Sequence, residues 1–454
     1  MTRHARSETM NVPTPIEPKP SRSRSTELGL MIIAWIIVTA FYILMSLATK
    51  GALPARLDFF LAVLIAVSLA MHFAIRRYAP FASQVLLPIA TLLNGVGYVE
   101  IARWNATRAG YQALWFVISG AIVVLTLKFI KSVRDLDRYR FVTLTVAMIL
   151  MVLPLTPHFG ENINGARLWV AIGPLSFQPI EIAKILLVFF FASYFAANRE
   201  LLSTPTQRLG RILIVPPKIL VPILVAWGVA LLILAGENDI GFAMLLFVLF
   251  FALLWVTTGL KSYLFLGLAM LGGGGYVADK LFHQVHQRVS LMLDPWNYNF
   301  IHGSSQIALG QFSLAAGGVF GTGLGLGQSG NIPEISSDMI FAALGEELGF
   351  IGVILIVSLF AAFVGEGFRI AQRSHSDYVR LTATGLTATL GLQAFFIMAG
   401  VLRIVPFTGI TLPFMAYGGS SLFANYLIVA LLLRISHENS EERRGGDIVA
   451  ITFD

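Results

Sequence analysis

Apolar runs recur along this chain from about residue 28 to residue 434, broken by short polar segments. They cover 28–48, 58–75, 82–100, 112–131, 139–155, 178–197, 215–235, 240–258, 262–281, 339–363, 380–402 and 413–434. Each is close to the roughly 20 residues that a helix needs to cross a bilayer. The pattern predicts twelve membrane-spanning helices. Residues 1–26 are polar, basic and proline-bearing, and read as a disordered tail. The apolar run that follows is too long for a signal-peptide core and has no small-residue cleavage site, so a retained helix is expected.

Charge in the connecting segments alternates. With the basic tail inside, the inner loops hold Arg76 and Arg77; Lys128, Lys131, Arg134, Arg138 and Arg140; Arg199, Arg208 and Arg211; Lys261; and Arg369, Arg373 and Arg380. Basic residues are retained on the cytoplasmic side, so both termini are expected there. Two outer segments are long, about 156–177 and 282–338. Neither has enough apolar residues for a core of its own, and both are expected to lie on the membrane surface and shape a site.

Composition agrees. The chain is 56% hydrophobic and 13% charged, with a mean hydropathy of +0.76, which leaves too little polar surface to cover a water-soluble globule. The net charge of +7 is spread over too few charged residues for the broad basic face that nucleic acid requires. There is no cysteine, which excludes disulfides, thiol catalysis and Cys-ligated zinc. His283, His286 and His302 lack metal-ligand spacing and read as solvated loop residues.

Ionisable residues inside spans are costly and point to function or to pairing. Glu181 and Lys184 are three residues apart and share a helix face, which suits either a charge-neutral structural pair or a substrate contact. Glu346 and Glu347 form an acidic pair within the 339–363 run, suited to a structural hydrogen bond or to catalysis. GTGLGLGQSG (321–330) lacks the Lys-Ser/Thr of a phosphate loop and opens no strand–helix unit. It reads as a glycine-rich turn at the outer surface, whose N–H groups could still face a pyrophosphate. Asn105-Ala106-Thr107 is a glycosylation triplet of a kind common by chance. Asp338 stands where an apolar run begins and could be a helix N-cap. Asp294, Glu334 and Asp338 could hold one Mg²⁺ or Mn²⁺ with waters, or be merely solvated.

Five ordered motifs go further. NGARLWVAIGPLSFQPIEIAK (164–184), GENDIG (236–241), QRVSLMLDPW (287–296), GGVFGTGLGLG with IPEISSDMIFAALGEELGFIG (332–352), and TGITLPFMAYGGSSLFAN (408–425) resemble the RodA/FtsW/SpoVE family across about residues 82–435. Two helices (27–81) precede the family's usual ten, as in actinobacterial RodA-like proteins, and 436–454 follows as a cytoplasmic tail. Four positions depart from the pattern. Ser336-Ser337-Asp338 replaces a His- or Asn-Thr-Asp element, Met339 stands where Phe is common, and Asn238 replaces a proline.

The resemblance implies an all-α polytopic bundle with long extracytoplasmic loops in the bacterial inner membrane. It implies an inverting glycosyltransferase that polymerises lipid II into glycan strands, releasing undecaprenyl pyrophosphate, in cell elongation and beside a class B penicillin-binding protein. Such chemistry needs a base for the acceptor 4-hydroxyl and positive groups for the diphosphate. On the family's pattern Asp338 is the base. Arg167, Trp169, Gln178, Glu181, Lys184, Asp239, Arg288, Glu334 and Glu346 are the substrate-binding candidates. Two other readings use the same residues: a lipid II flippase, and a non-catalytic scaffold for the transpeptidase.

Overall fold

The computed structural model describes residues 24–451 apart from 158, 164–165, 173–174, 205–206, 210–211, 215–216 and 297–300. The tail expected at 1–26 therefore lies outside the described residues except for its last three. The helices are α1 (Ser25–Lys50), α2 (Leu57–Tyr78), α3 (Leu86–Trp104), α4 (Ala106–Phe129), α5 (Arg140–Val152), α6 (Ile180–Ala197), α7 (Arg199–Ser203), α8 (Pro217–Glu237), α9 (Ile240–Thr258), α10 (Lys261–Leu281), α11 (His283–Leu293), α12 (Ile301–Gly317), α13 (Ile340–Gln372), α14 (Asp377–Val401) and α15 (Gly419–Ile451). Each of the twelve expected spans coincides with a helix. Among the described residues, ten helical segments are long and apolar enough to cross a membrane. The other two expected spans, α3 and α10, are long enough but diluted: α3 by Asn94, Glu100 and Arg103, α10 by four consecutive glycines.

Burial ranks the helices. In α14 and α15, 83% and 78% of the most apolar stretch is buried inside the protein, against 28% in α1 and in α13. The first two form the centre of the bundle with α6, whose Phe191 meets Phe250 of α9 edge-to-face and whose Phe195 packs tilted against it. Outward-facing Phe265 and Leu268 on α10 remain exposed, as expected where lipid is the solvent. Packing and polar contacts, not water exclusion, must then hold the helices together.

One such contact anchors the N-terminal pair. Arg24 is buried, pairs with Glu27, and donates to the carbonyls of Ala79, Pro80 and Ala82 at 3.0–3.3 Å. Glu27 also meets His72 Nδ1 at 2.5 Å. The helix thus begins inside the segment expected to be tail. Ser83, an Arg24 partner, donates its N–H to Ser436 Oγ, so the start of α1 and the far half of α15 share one face of the bundle. There α15 continues through the expected C-terminal tail to Ile451.

The two long segments are structured. Residues 160–177 form an antiparallel sheet, β1 (Gly160–Ile163), β2 (Ala166–Ile172) and β3 (Leu175–Phe177), in that order. Val170 pairs with Gly160 on one side and Phe177 on the other. A second hairpin, β4 (Gln207–Leu209) with β5 (Ile212–Ile214), follows α7. Residues 282–338 supply α11 and α12, and α12 packs along α13.

The glycine-rich turn does not stay at the surface. It reaches Glu346–Gly349, two or more turns into α13, and its N–H groups are already used. Gly325 N donates to Glu347 Oε2 (2.9 Å) and Gln328 N to Glu346 Oε1 (2.8 Å). Ser329 donates to the other oxygen of Glu346, and Thr322 N and Gly323 N donate to the carbonyls of Glu346 and Glu347. The turn is a receptor for two buried carboxylates of its own chain, which replaces the pyrophosphate reading. Arg103 completes the cluster by pairing with Glu347 and donating to the Gly327 carbonyl.

Candidate functional site

Away from the face shared by the ends of α1 and α15, a cavity of about 370 Å³ is walled by the beginnings of five helices. Arg108 comes from the first turn of α4, Gln178 and Glu181 from the start of α6, and Asp239 and Phe242 from the start of α9. Asp338 precedes α13, and Gly419–Ser421 open α15. Helix N-termini carry unpaired N–H groups and a partial positive charge, so five ends around one cavity make it receptive to an anion. Trp169 of β2 and Arg288 of α11 close it from the long segments.

Arg288 reaches inward. Its Nη1 donates to the carbonyls of Phe407 (3.0 Å) and Thr408 (2.6 Å). The next residue, Gly409, has φ +68°, and a Cβ there would stand 3.7 Å from Asp338 Oδ2 and 3.8 Å from Arg288 Nη2. The carboxylate and the guanidinium thus both border the space beside Gly409, where a side chain would intrude on them. Arg108 forms a second basic corner. It pairs with Glu334 (3.1 Å), donates to Ser336 Oγ (2.7 Å) and lies 5.4 Å from the Tyr417 ring centre. Ser337 Oγ in turn donates to Glu334 (3.1 Å), so both serines of the variant Ser-Ser-Asp element have partners at the site.

Asp338 does not cap α13. The cap position is Met339, without a side-chain hydrogen bond. Asp338 lines the cavity and is half-buried. Burial and the neighbouring Glu334 push it up to about 7, against the opposing pull of Arg288, Ser337 and Arg108. Asp239 does cap its helix, accepting from Phe242 N at 2.9 Å. Burial pushes it up to about 6, with the Phe242 N–H and Arg288 opposing. Burial lowers Arg288, and Asp239 and Asp338 offset that.

The departure at 238 has a local reason. Asn238 has φ +63° just before Asp239, a conformation asparagine tolerates and proline, locked near −65°, cannot adopt. Glu334 also has positive φ, at +52°, so two cavity residues lie in sparsely populated backbone.

Of the residues singled out from the sequence, Trp169, Gln178, Glu181, Asp239, Arg288, Glu334 and Asp338 line the cavity. Lys184 lies behind it, fully buried, on Glu181 Oε2 (2.5 Å) and Gln393 Oε1 (2.7 Å). Gln393 passes the contact on to the Thr411 carbonyl and Ser421 Oγ. Arg167 is exposed near the β1–β2 turn and does not line the cavity, and Glu346 sits in the glycine-turn cluster. The metal trio does not assemble. Asp294 lies outside the lining and accepts from Trp296 N, and no group of three metal-ligating side chains converges among the described residues. No catalytic step is therefore routed through a metal. Asn105 of the glycosylation triplet caps α4, accepting from Thr107 N and Arg108 N.

Arg108, Tyr417 and the backbone of Gly418 and Gly419 were not legible as site residues, because Arg108 falls before the 112–131 run, among residues that read as a polar connection.

The family model for the FtsW, RodA and SpoVE cell cycle proteins matches residues 81–441. The peptidoglycan glycosyltransferase RodA of Mycobacterium tuberculosis is 35% identical over 439 residues, covering 94% of this chain and 93% of its own. The probable peptidoglycan glycosyltransferase FtsW of Burkholderia thailandensis is 30% identical over 335 residues, covering 72% and 70%. Among solved structures, a chain from a peptidoglycan synthase complex that coordinates polymerization and crosslinking superposes with a TM-score of 0.64 at 24% identity. It covers 79% of this chain and 98% of that one. The crystal structure of Thermus thermophilus rod shape determining protein RodA superposes at 0.54 and 23% identity, covering 79% and 97%. At these identities the two superpositions speak to the fold.

Proposed function

The chain belongs to the FtsW/RodA/SpoVE cell cycle protein family of peptidoglycan glycosyltransferases, multi-pass proteins of the bacterial inner membrane, and from that premise we propose that its five-helix cavity is where glycan strands are polymerised from lipid II. The observation that carries the reading is that Asp338 and Arg288 both line, beside Gly409, a cavity ringed by helix N-termini. Asp338 accepts the proton of the acceptor 4-hydroxyl as its oxygen bonds to the anomeric carbon of the donor. The bond from that carbon to the diphosphate breaks on the opposite side, the centre inverts, and undecaprenyl diphosphate leaves. Arg288, Arg108 and the helix ends offset the charge that develops on the diphosphate. A carboxyl near 7 is suited to this, being basic enough to take a proton and ionised often enough to be ready. Trp169 offers its ring to sugar or prenyl chain, Gln178, Glu181, Asp239 and Glu334 complete the wall, and Lys184 holds Glu181 in place.

The cavity face is extracytoplasmic in this proposal and both termini are cytoplasmic, as the loop charges indicate. Residues 82–435 act as the catalytic membrane domain and 27–81 as an accessory helix pair. The partner is a class B penicillin-binding protein, a reading supported by the synthase complex among the structural neighbours. The full-length likeness to RodA favours a role in elongation.

The test is purified protein given labelled lipid II with and without such a transpeptidase, with products resolved by length. A ladder of glycan strands is expected. Movement of lipid II across liposomes without polymer would replace the proposal with a flippase, and neither activity would leave a scaffold.

A further inference from the structure

The two N-terminal helices precede the family match and, at the end away from Arg24, touch the core at Gly325 and through Phe60 on Tyr98 but leave a gap beside α3 and α4. A groove of about 970 Å³ lies there, bounded by the end of α1, the α1–α2 connection, the end of α3 and the start of α4. Helix α4 separates it from the catalytic cavity, with Thr107 and Tyr111 on the groove and Arg108 in the cavity. The groove therefore opens on the same face of the bundle.

Its wall is amphipathic and carries one sign of charge. Tyr42, Tyr98 and Trp104 line it, while Ala102, Ala109 and Gly110 leave room between them. Phe59 and Leu114 at its edge are 58% and 45% exposed. Lys50, Arg56 and Arg103 belong to the lining, and no carboxylate does. Arg103 is committed to Glu347 and the Gly327 carbonyl. Lys50 and Arg56 are exposed, and neither has an ion-pair partner among the described residues. Asp58, the nearest acid in sequence, is exposed and does not line the groove.

Uncompensated cations beside an aromatic-edged apolar trough, at the end of membrane-spanning helices, match an amphiphile with an anionic head. We propose that this groove binds an anionic phospholipid of the surrounding membrane, with its phosphate on Lys50 and Arg56 and an acyl chain laid between α1 and α4. A partner's transmembrane helix would fill the trough but leave both cations without a counter-charge. The lipid would bridge the N-terminal pair and the core across the groove, and so would stabilise their junction.

Native mass spectrometry of the delipidated full chain, titrated with phosphatidylglycerol or phosphatidylcholine, reads this directly. Phosphatidylglycerol should be retained in preference and should raise the unfolding temperature. Lys50→Ala with Arg56→Ala should weaken its apparent affinity about 10- to 30-fold and abolish the stabilisation. The charge-conserving pair Lys50→Arg with Arg56→Lys should keep both, which separates charge from folding. The proposal fails if the parent shows no preference between the two lipids, or if the alanine pair binds phosphatidylglycerol as tightly as the parent. It also fails if undecaprenyl phosphate displaces phosphatidylglycerol at equal concentration, which would assign the groove to prenyl lipids. Loss of transpeptidase co-purification from the alanine pair, with phospholipid binding unchanged, would give it to a partner helix.

Discussion

Asp338 combines two properties that are separable by substitution. In the proposed mechanism it is the proton acceptor, and in the structure it is a half-buried carboxyl whose ionisation the protein resists. Since it does not cap α13, Asp338→Asn should leave the unfolding temperature unchanged or slightly raised. Removal of a general base costs about 10²–10⁴-fold, so glycan synthesis from labelled lipid II should fall by that factor. An asparagine variant that polymerises near the parent rate would discard the assignment. The same carboxyl sets a pH dependence. A base must be ionised, so activity should rise with pH through about 7 and be mostly lost below 6. A profile flat from 6 to 8 would mean that another group limits the rate. Lys184 behaves differently because it touches the cavity only through Glu181. Lys184→Ala strands a buried carboxylate, which typically costs about 3–5 kcal/mol. The variant should be visibly less thermostable, and adding Glu181→Gln should recover much of that loss. If stability is unaffected by Lys184→Ala, the buried pair is not what holds α6 to α14.

At the scale of elements, α13 is interrupted by a backbone that is not helical. Gly349 has φ +65° inside it, and a Cβ there would collide with the backbone of Gly321. The kink lets the glycine-rich turn seat against the helix while Glu346 and Glu347 gather the turn's N–H groups. Gly349→Ala should therefore cost about 1–3 kcal/mol from the backbone alone, with the collision adding to it. A thermal-shift measurement should show it, and activity should fall as well, because residues 331–338 run directly from the turn to Asp338. Unchanged stability would mean that turn and helix move apart freely. Buried Glu347 with Arg103 ties this element to α3, so the segment between α12 and α13 is braced from two sides.

At the scale of the whole molecule, the start of α1 and the far part of α15 lie on one face, and the cavity opens toward the other. The absence of native cysteine makes this simple to test. In intact cells, Ala52→Cys should react with a membrane-impermeant maleimide, and His375→Cys should react only after lysis. The reverse pattern would invert the topology, and labelling of both in intact cells would break the twelve-span order.

What the sequence determined by itself was local. Whether a run of residues forms a long apolar helix depends on its own length and composition, so a helix at each of the twelve runs was legible, and ten of these, α3 and α10 apart, are apolar enough to cross a membrane among the described residues. Charge alternation is equally local, and the motif likeness singled out Asp338, Arg288, Asp239 and Glu181 without reference to any contact. Tertiary structure decided what those residues meet. Arg108, Gln178, Asp239, Arg288, Asp338 and Gly409 lie far apart in the chain, and only the packing of α4, α6, α9, α11, α13 and α15 brings them to one cavity. Glu346 and Arg167 show the converse. Each belongs to a motif segment, but a motif does not carry the direction in which a side chain points. Helix phase sent Glu346 to the glycine turn, and its position beside the β1–β2 turn left Arg167 exposed. The fate of the turn itself was undecidable locally. Free N–H groups accept any anion, and here the kink at Gly349 presented two carboxylates of the same chain before a phosphate could arrive.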